Sequence, residues 1–150
     1  MKTIVALVDF SDVTTRVLDQ ASKLARAFDA RVILLHVVPE EPAVVELGLA
    51  SPTLMQPPSE RMIEAHYQRL LDLRDSLINA GVKASAQQVE EGGADKLIAM
   101  CRNLETDVIV VGSHHHSTVY HLIVGTFTGD ILKRAICPVL VVPAEISQRG

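Results

Sequence analysis

Five short runs rich in β-branched residues, at positions 4–8, 32–38, 83–89, 108–111 and 139–142, alternate with four stretches of helical periodicity. No other feature constrains the fold as tightly. Four of the runs are almost continuously apolar, as expected of strands covered on both faces of a parallel sheet. The third, Lys83-Ala84-Ser85-Ala86-Gln87-Gln88-Val89, is more polar and suits an edge. Between the runs, Val13, Val17, Leu18, Ala21, Leu24, Ala25 and Phe28 recur at spacings of three and four, with Ser11 or Asp12 as the expected cap. Ile63, Tyr67, Leu70, Leu71, Leu77 and Ile78 form a second stripe, stopped by Asn79-Ala80-Gly81. Ala94, Leu97, Ile98, Cys101 and Leu104 form a third. Thr128, Ile131, Leu132, Ala135 and Ile136 form a fourth, halted before Pro138. Strict alternation of this kind means an α/β chain with an open, doubly wound, five-stranded parallel sheet and right-handed crossovers.

Residues 39–59 are the exception. They hold five of the seven prolines and read as an irregular lid, binding loop or mobile connection. A length of 150 residues implies one domain over positions 1–150. A composition 48% hydrophobic and 21% charged excludes a disordered chain. Aromatic residues are only 3%, too few for the stacking platforms of a single-strand nucleic-acid binder. The net charge of -4 gives no general attraction to nucleic acid or to an anionic membrane. No apolar run approaches the roughly 20 residues of a membrane span, and the first nine residues do not read as a signal peptide. Cys101 and Cys137 form neither a disulfide framework nor a zinc spacing, so a cytoplasmic location is expected.

In open α/β sheets, ligands bind beyond the carboxyl ends of the strands where the strand order reverses. The residues leaving those ends are Val8-Asp9-Phe10-Ser11, His36-Val37-Val38-Pro39 and Gly112-Ser113-His114-His115-His116-Ser117, with Gly125-Thr126 before the last helix. Glycines permit close backbone approach, and a helix N-terminus offers free N–H groups to phosphate. Asp9 offers a carboxylate to a ribose hydroxyl or to a phosphate-bound metal. Taken singly, these are routine structural devices. Three consecutive histidines do not converge on one ion without an unusual loop, so His114, His115 and His116 read as a solvated segment, and His121 as a surface residue. His36, in an apolar strand end, reads as a satisfied core histidine. The acidic pair, Asp and Lys of a two-component receiver domain are missing at the three strand ends that need them. Glycines are missing after the first strand, where a Rossmann or flavodoxin-like protein needs them, and there is no P-loop. No Ser, His and Asp set for hydrolysis stands out. No nucleophile with a companion base can be named, which argues against a conventional enzyme.

Four segments, in order, resemble the universal stress protein family across essentially the whole chain. They are Ile4-Val5-Ala6-Leu7-Val8-Asp9-Phe10-Ser11, Leu35-His36-Val37-Val38, Asp107-Val108-Ile109-Val110-Val111-Gly112-Ser113-His114 and Cys137-Pro138-Val139-Leu140-Val141-Val142-Pro143. The resemblance implies strand order 3-2-1-4-5, with a cleft between the first and fourth strands. ATP-binding members carry Gly, two residues, Gly, nine residues, Gly, then Ser or Thr. Here the outer positions are Gly112 and Gly125-Thr126, but His115 replaces the middle glycine and Phe127 replaces a small β-branched residue.

By the resemblance, Asp9 contacts ribose or metal, Val38 meets adenine through its backbone, and Gly112, Ser117, Gly125 and Thr126 meet the phosphates. Phe10, Ser11, Ser113, His115 and Phe127 complete the expected binding set. The implied ligand is ATP or AMP, with magnesium accompanying ATP, and turnover no faster than slow ATP hydrolysis. The implied role is a stress-response regulator. The alternative is a dimeric interaction protein of the same fold whose phosphate site is impaired by His115. The last strand, Val139, Leu140, Val141 and Val142, is apolar on both faces yet lies at a sheet edge, so a homodimer through it is expected. Nothing in the string names a client protein.

Overall fold

Thr3-Ile4-Val5-Ala6-Leu7 is buried at every position because both its edges and both its faces are covered. The computed structural model describes residues 1–44, 50–90, 93–113 and 127–144. In chain order these form β1 (Thr3–Leu7), α1 (Thr14–Phe28), β2 (Arg31–Val37), β3 (Glu41–Val44), β4 (Ala50–Gln56) and α2 (Glu60–Asn79). There follow β5 (Ala84–Val89), α3 (Ala94–Asn103), β6 (Val108–Ser113), α4 (Gly129–Arg134) and β7 (Val139–Pro143). The main sheet runs β5-β2-β1-β6-β7, every pair parallel, which is the order 3-2-1-4-5 of the five apolar runs. Ile4 pairs with Val32 on one side and Val108 on the other. The polar run is indeed an edge, bonded only to β2.

Alternation along the strands divides the core in two. Ile4, Ala6, Val8, Val32, Leu34, Val108 and Val110 pack with Val17 and Ala21 of α1 and Leu70 and Leu77 of α2. On the other face, Val5, Leu7, Ile33, Leu35, Ile109 and Val111 pack with Leu97, Ile98 and Cys101 of α3 and Ile131 of α4. Some stripe residues do not reach these cores. Phe28 and Ile78 occupy the last turns of their helices and are exposed, as is Leu132. Helix α4 ends at Arg134, so the helical period no longer applies at Ala135 or Ile136.

The expected stop holds at α2, and the expected cap differs at α1. Ser59 Oγ accepts from Met62 N–H at 3.2 Å to open α2, and Gly81, at φ +86, lets the chain turn out of it. Helix α1 opens instead at Thr14, after Val13, without a side-chain cap bond. The Ser11 hydroxyl donates to Asp9 Oδ1 at 2.6 Å, so it serves the preceding turn rather than the helix.

Residues 39–59 correct the irregular-loop reading. β3 and β4 pair antiparallel, Glu41 with Gln56 and Val44 with Ala50, with a register shift between Pro42 and Ala43. Proline is excluded from central strands, but in a two-stranded ribbon every strand is an edge. Among the described residues no helix is long and apolar enough to cross a membrane.

Candidate functional site

The chain leaves β1 toward β2 and β5 on one side and later fills β6 and β7 on the other, so the strand order reverses between β1 and β6. At their carboxyl ends lies a cavity of about 310 Å³, near the lower end of the ligand-pocket range of about 300–1,000 Å³. Leu7 and Val8 of the first strand's exit, Leu35 and Val37 of β2, Leu97 of α3 and Val111 of β6 wall it. Phe127 and Thr128, just before α4, close one side. The apolar walls suit a flat hydrophobic group. Asp9 contributes the carboxylate of the lining.

The turn holds Asp9 in place. Its Oδ1 accepts from Ser11 N–H at 3.0 Å, from the Ser11 hydroxyl at 2.6 Å and from the Thr14 hydroxyl at 3.3 Å. Phe10, at φ 59, swings the chain from strand to helix. Left-handed backbone is uncommon for an aromatic residue, and packing supports it here. The Phe10 ring lies 4.4 Å from that of His36 and 5.4 Å from that of His66, with the Arg69 guanidinium 4.3 Å above it. His36 is buried, as its place in the strand implies, with Nδ1 2.6 Å from the Val8 carbonyl oxygen and Nε2 2.9 Å from His66 Nδ1. Burial holds both imidazoles below their ordinary value.

Of the residues singled out in the sequence, Asp9, Gly112 and Phe127 line the cavity together. Phe10 and Ser11 border a neighbouring groove with Thr14, Arg69 and Asp72. Val38 is buried, its N–H donating to the Val89 carbonyl at 2.9 Å, and borders a separate hollow with Glu40 and Glu90. Ser113 is buried, and its carbonyl accepts from Ala144 N–H at 3.1 Å. His115, Ser117, Gly125 and Thr126 lie outside the described residues, as do His114, His116 and His121. Gly112 has a packing reason of its own. A Cβ there would fall against the γ-carbons of Val13 and lie 3.2 Å from Val17 Cγ2.

Sequence reading missed the apolar walls Leu7, Leu35, Val37, Leu97 and Val111. Their signal is parity: each strand residue among them occupies the α3-facing side near a carboxyl end. Among the described residues no three His, Cys, Asp or Glu side chains gather to hold a metal. Of the described carboxylates, that of Asp9 lines the cavity and is the one that would face a magnesium ion there. Burial pushes the Cys101 thiol up to about 11, so it stays protonated and unreactive.

A model described as the Universal stress protein family matches residues 1–143. A universal stress protein of Methanocaldococcus jannaschii is 29% identical over 141 residues, covering 94% of this chain and 81% of the relative. The crystal structure of a universal stress family protein from Burkholderia pseudomallei aligns with a TM-score of 0.69 at 25% identity, covering 95% of this chain and 96% of that one. The universal stress protein of Archaeoglobus fulgidus in complex with dAMP aligns with a TM-score of 0.69 at 19% identity, covering 95% and 98%. That last likeness is one of fold.

Proposed function

This chain belongs to the universal stress protein family, and from that premise we propose that it binds an adenine nucleotide, ATP or AMP, and serves as a cytoplasmic stress-response regulator. One observation carries the reading. The apolar cavity of about 310 Å³ opens at the point where strand order reverses, with the anchored Asp9 carboxylate at its lining. The apolar walls receive the base, and Asp9 accepts from a ribose hydroxyl. The dAMP complex of the Archaeoglobus fulgidus protein supports a nucleotide in a fold of this kind. The phosphates fall to the segment from Gly112 to Thr126, where the glycine spacing supports the assignment and His115 departs from it.

Calorimetric titration of ATP and AMP, each with and without magnesium, tests the proposal. Saturable binding is expected, weakened about tenfold or more by Asp9→Ala, the equivalent of about 1.4 kcal/mol. Absence of binding at millimolar nucleotide would reject it. His115 favours a second reading, a dimeric interaction protein that no longer holds phosphate. His115→Gly separates the two. A tenfold gain in affinity would identify the histidine as the impairment, and no change would mean that the loop is already competent.

A further inference from the structure

Val8, Asp9 and Phe10 leave β1 consecutively, yet they are gripped from two directions. Val8 and Asp9 line the cavity with Leu35 and Val37, while the Val8 carbonyl and the Phe10 ring are held by His36, the intervening residue of β2, and the Phe10 ring also by His66 of α2. We propose that His66 and His36 are positioning residues, forming a proton-operated latch that sets the direction of Asp9 from behind the cavity. The consequence for affinity rests on the nucleotide reading of the cavity. The latch itself is a property of the free protein.

The hydrogen-bond chain has one consistent polarity. A carbonyl oxygen only accepts, so His36 carries its hydrogen on Nδ1 and donates to Val8. In a neutral ring Nε2 is then an acceptor, and His66 must donate to it from Nδ1. The remaining lone pair is on His66 Nε2. One proton enters there with the chain intact. A second sets N–H against N–H, and the 2.9 Å contact between the rings cannot stand. Burial opposes this uptake first, then the Arg69 charge at both rings and the His66 charge at His36, while the Val8 carbonyl and the Asp9 carboxylate favour the His36 cation. The latch is therefore closed at neutral pH. Opening it parts His66 from His36 and removes the His66 ring from Phe10, while His36 Nδ1–H keeps the Val8 carbonyl, so the turn that carries Asp9 keeps its Ser11 and Thr14 bonds but loses one of its two supports from behind.

The Ser11 amide reports the outcome, because its N–H donates to Asp9 Oδ1. In nitrogen-15 spectra of the free protein from pH 8 to 5, His36 is expected as the Nδ1–H tautomer at pH 7.5. The Ser11 amide is expected to shift with the second ring protonation, the one that parts the rings. His66→Gln, whose amide turns to meet either state of His36, keeps the wild-type Ser11 position at pH 7.5 and abolishes that shift. His66→Ala displaces the Ser11 resonance even at pH 7.5. With cyclic AMP as probe, whose phosphodiester does not titrate in this range, affinity falls at least threefold from pH 7.5 to 5.5 in the wild type and stays nearly constant in His66→Gln. A Ser11 amide that ignores the ring titration, or that is unmoved by His66→Ala, overturns the latch. Failure of cyclic AMP to bind at any pH counts against the nucleotide reading, and the amide shifts still decide the latch.

Discussion

At Gly112 a hydrogen stands where any other residue would put a carbon against Val13 and Val17, the first contacts of α1 with β6. Both neighbours are β-branched and have no flexible end to yield. Gly112→Ala is expected to cost about 1–3 kcal/mol in urea unfolding, the usual range for overpacking. Gly93→Ala has nothing within 4 Å of the added carbon, so any cost there comes from the N-cap of α3 and not from overpacking, and is expected to stay at about 1 kcal/mol or less. His36 and His66 make a second prediction at this scale. Their folded pKa values lie below the unfolded value of about 6.5, chiefly through burial. Below that pH the unfolded chain takes protons that the native rings refuse, so stability falls as pH drops from 6.5 toward the folded values and then levels off. The urea midpoint should be lower at pH 5.5 than at 7.5, and less so in His66→Gln. Asp107 acts in a separate, more acidic window. Backbone N–H groups of Lys2 and Thr3 hold its carboxyl below the usual range, so its contribution is present above the unfolded value and lost as pH falls through the folded one.

For its length, α2 has the slightest hold on the core among the described helices. Of its 20 residues only Leu70 and Leu77 are buried, so each anchors about half of the helix. Leu70→Ala should cost about 2–5 kcal/mol by urea unfolding. Amide exchange along α2 should rise more than along α1, which buries Val17, Leu18, Ala21 and Ala25. The parallel strands were legible because strands buried on both faces need continuous apolar runs, and β5 because an edge does not. The β3–β4 ribbon was hidden because prolines exclude strands only where both edges are bonded. In the site, Asp9 and Gly112 stood out by chemistry and by their place at strand ends, and Phe127 only through the family resemblance. The apolar walls did not, since a wall residue and a core residue look alike until the cavity is seen. The left-handed turn at Phe10 is dictated by rings that come from β2 and α2, distant in the chain. His66, three residues after Ile63 and four before Leu70, lies on the inward stripe of its helix. That placement is the one sign of it in the sequence.

Among the described residues, β7 leaves one edge of the sheet without a strand beside it, with Leu140 and Val141 37% and 38% exposed. An apolar edge invites pairing with another chain, and two copies meeting across a two-fold axis would close it. A dimer is therefore expected on a sizing column, with Val141→Glu running as a monomer. A dimer that survives this change would place the contact elsewhere. The central position of β1 carries a different consequence, for synthesis on the ribosome. Its first neighbour, β2, emerges soon after it, but its second, β6, waits until residues 38–107 have been made. At about 5–20 residues per second, one edge of a wholly apolar strand stays open for several seconds on the nascent chain. The last strand but one to be translated, β6, completes the middle of the sheet, so the half-built product is the species most in need of protection from aggregation.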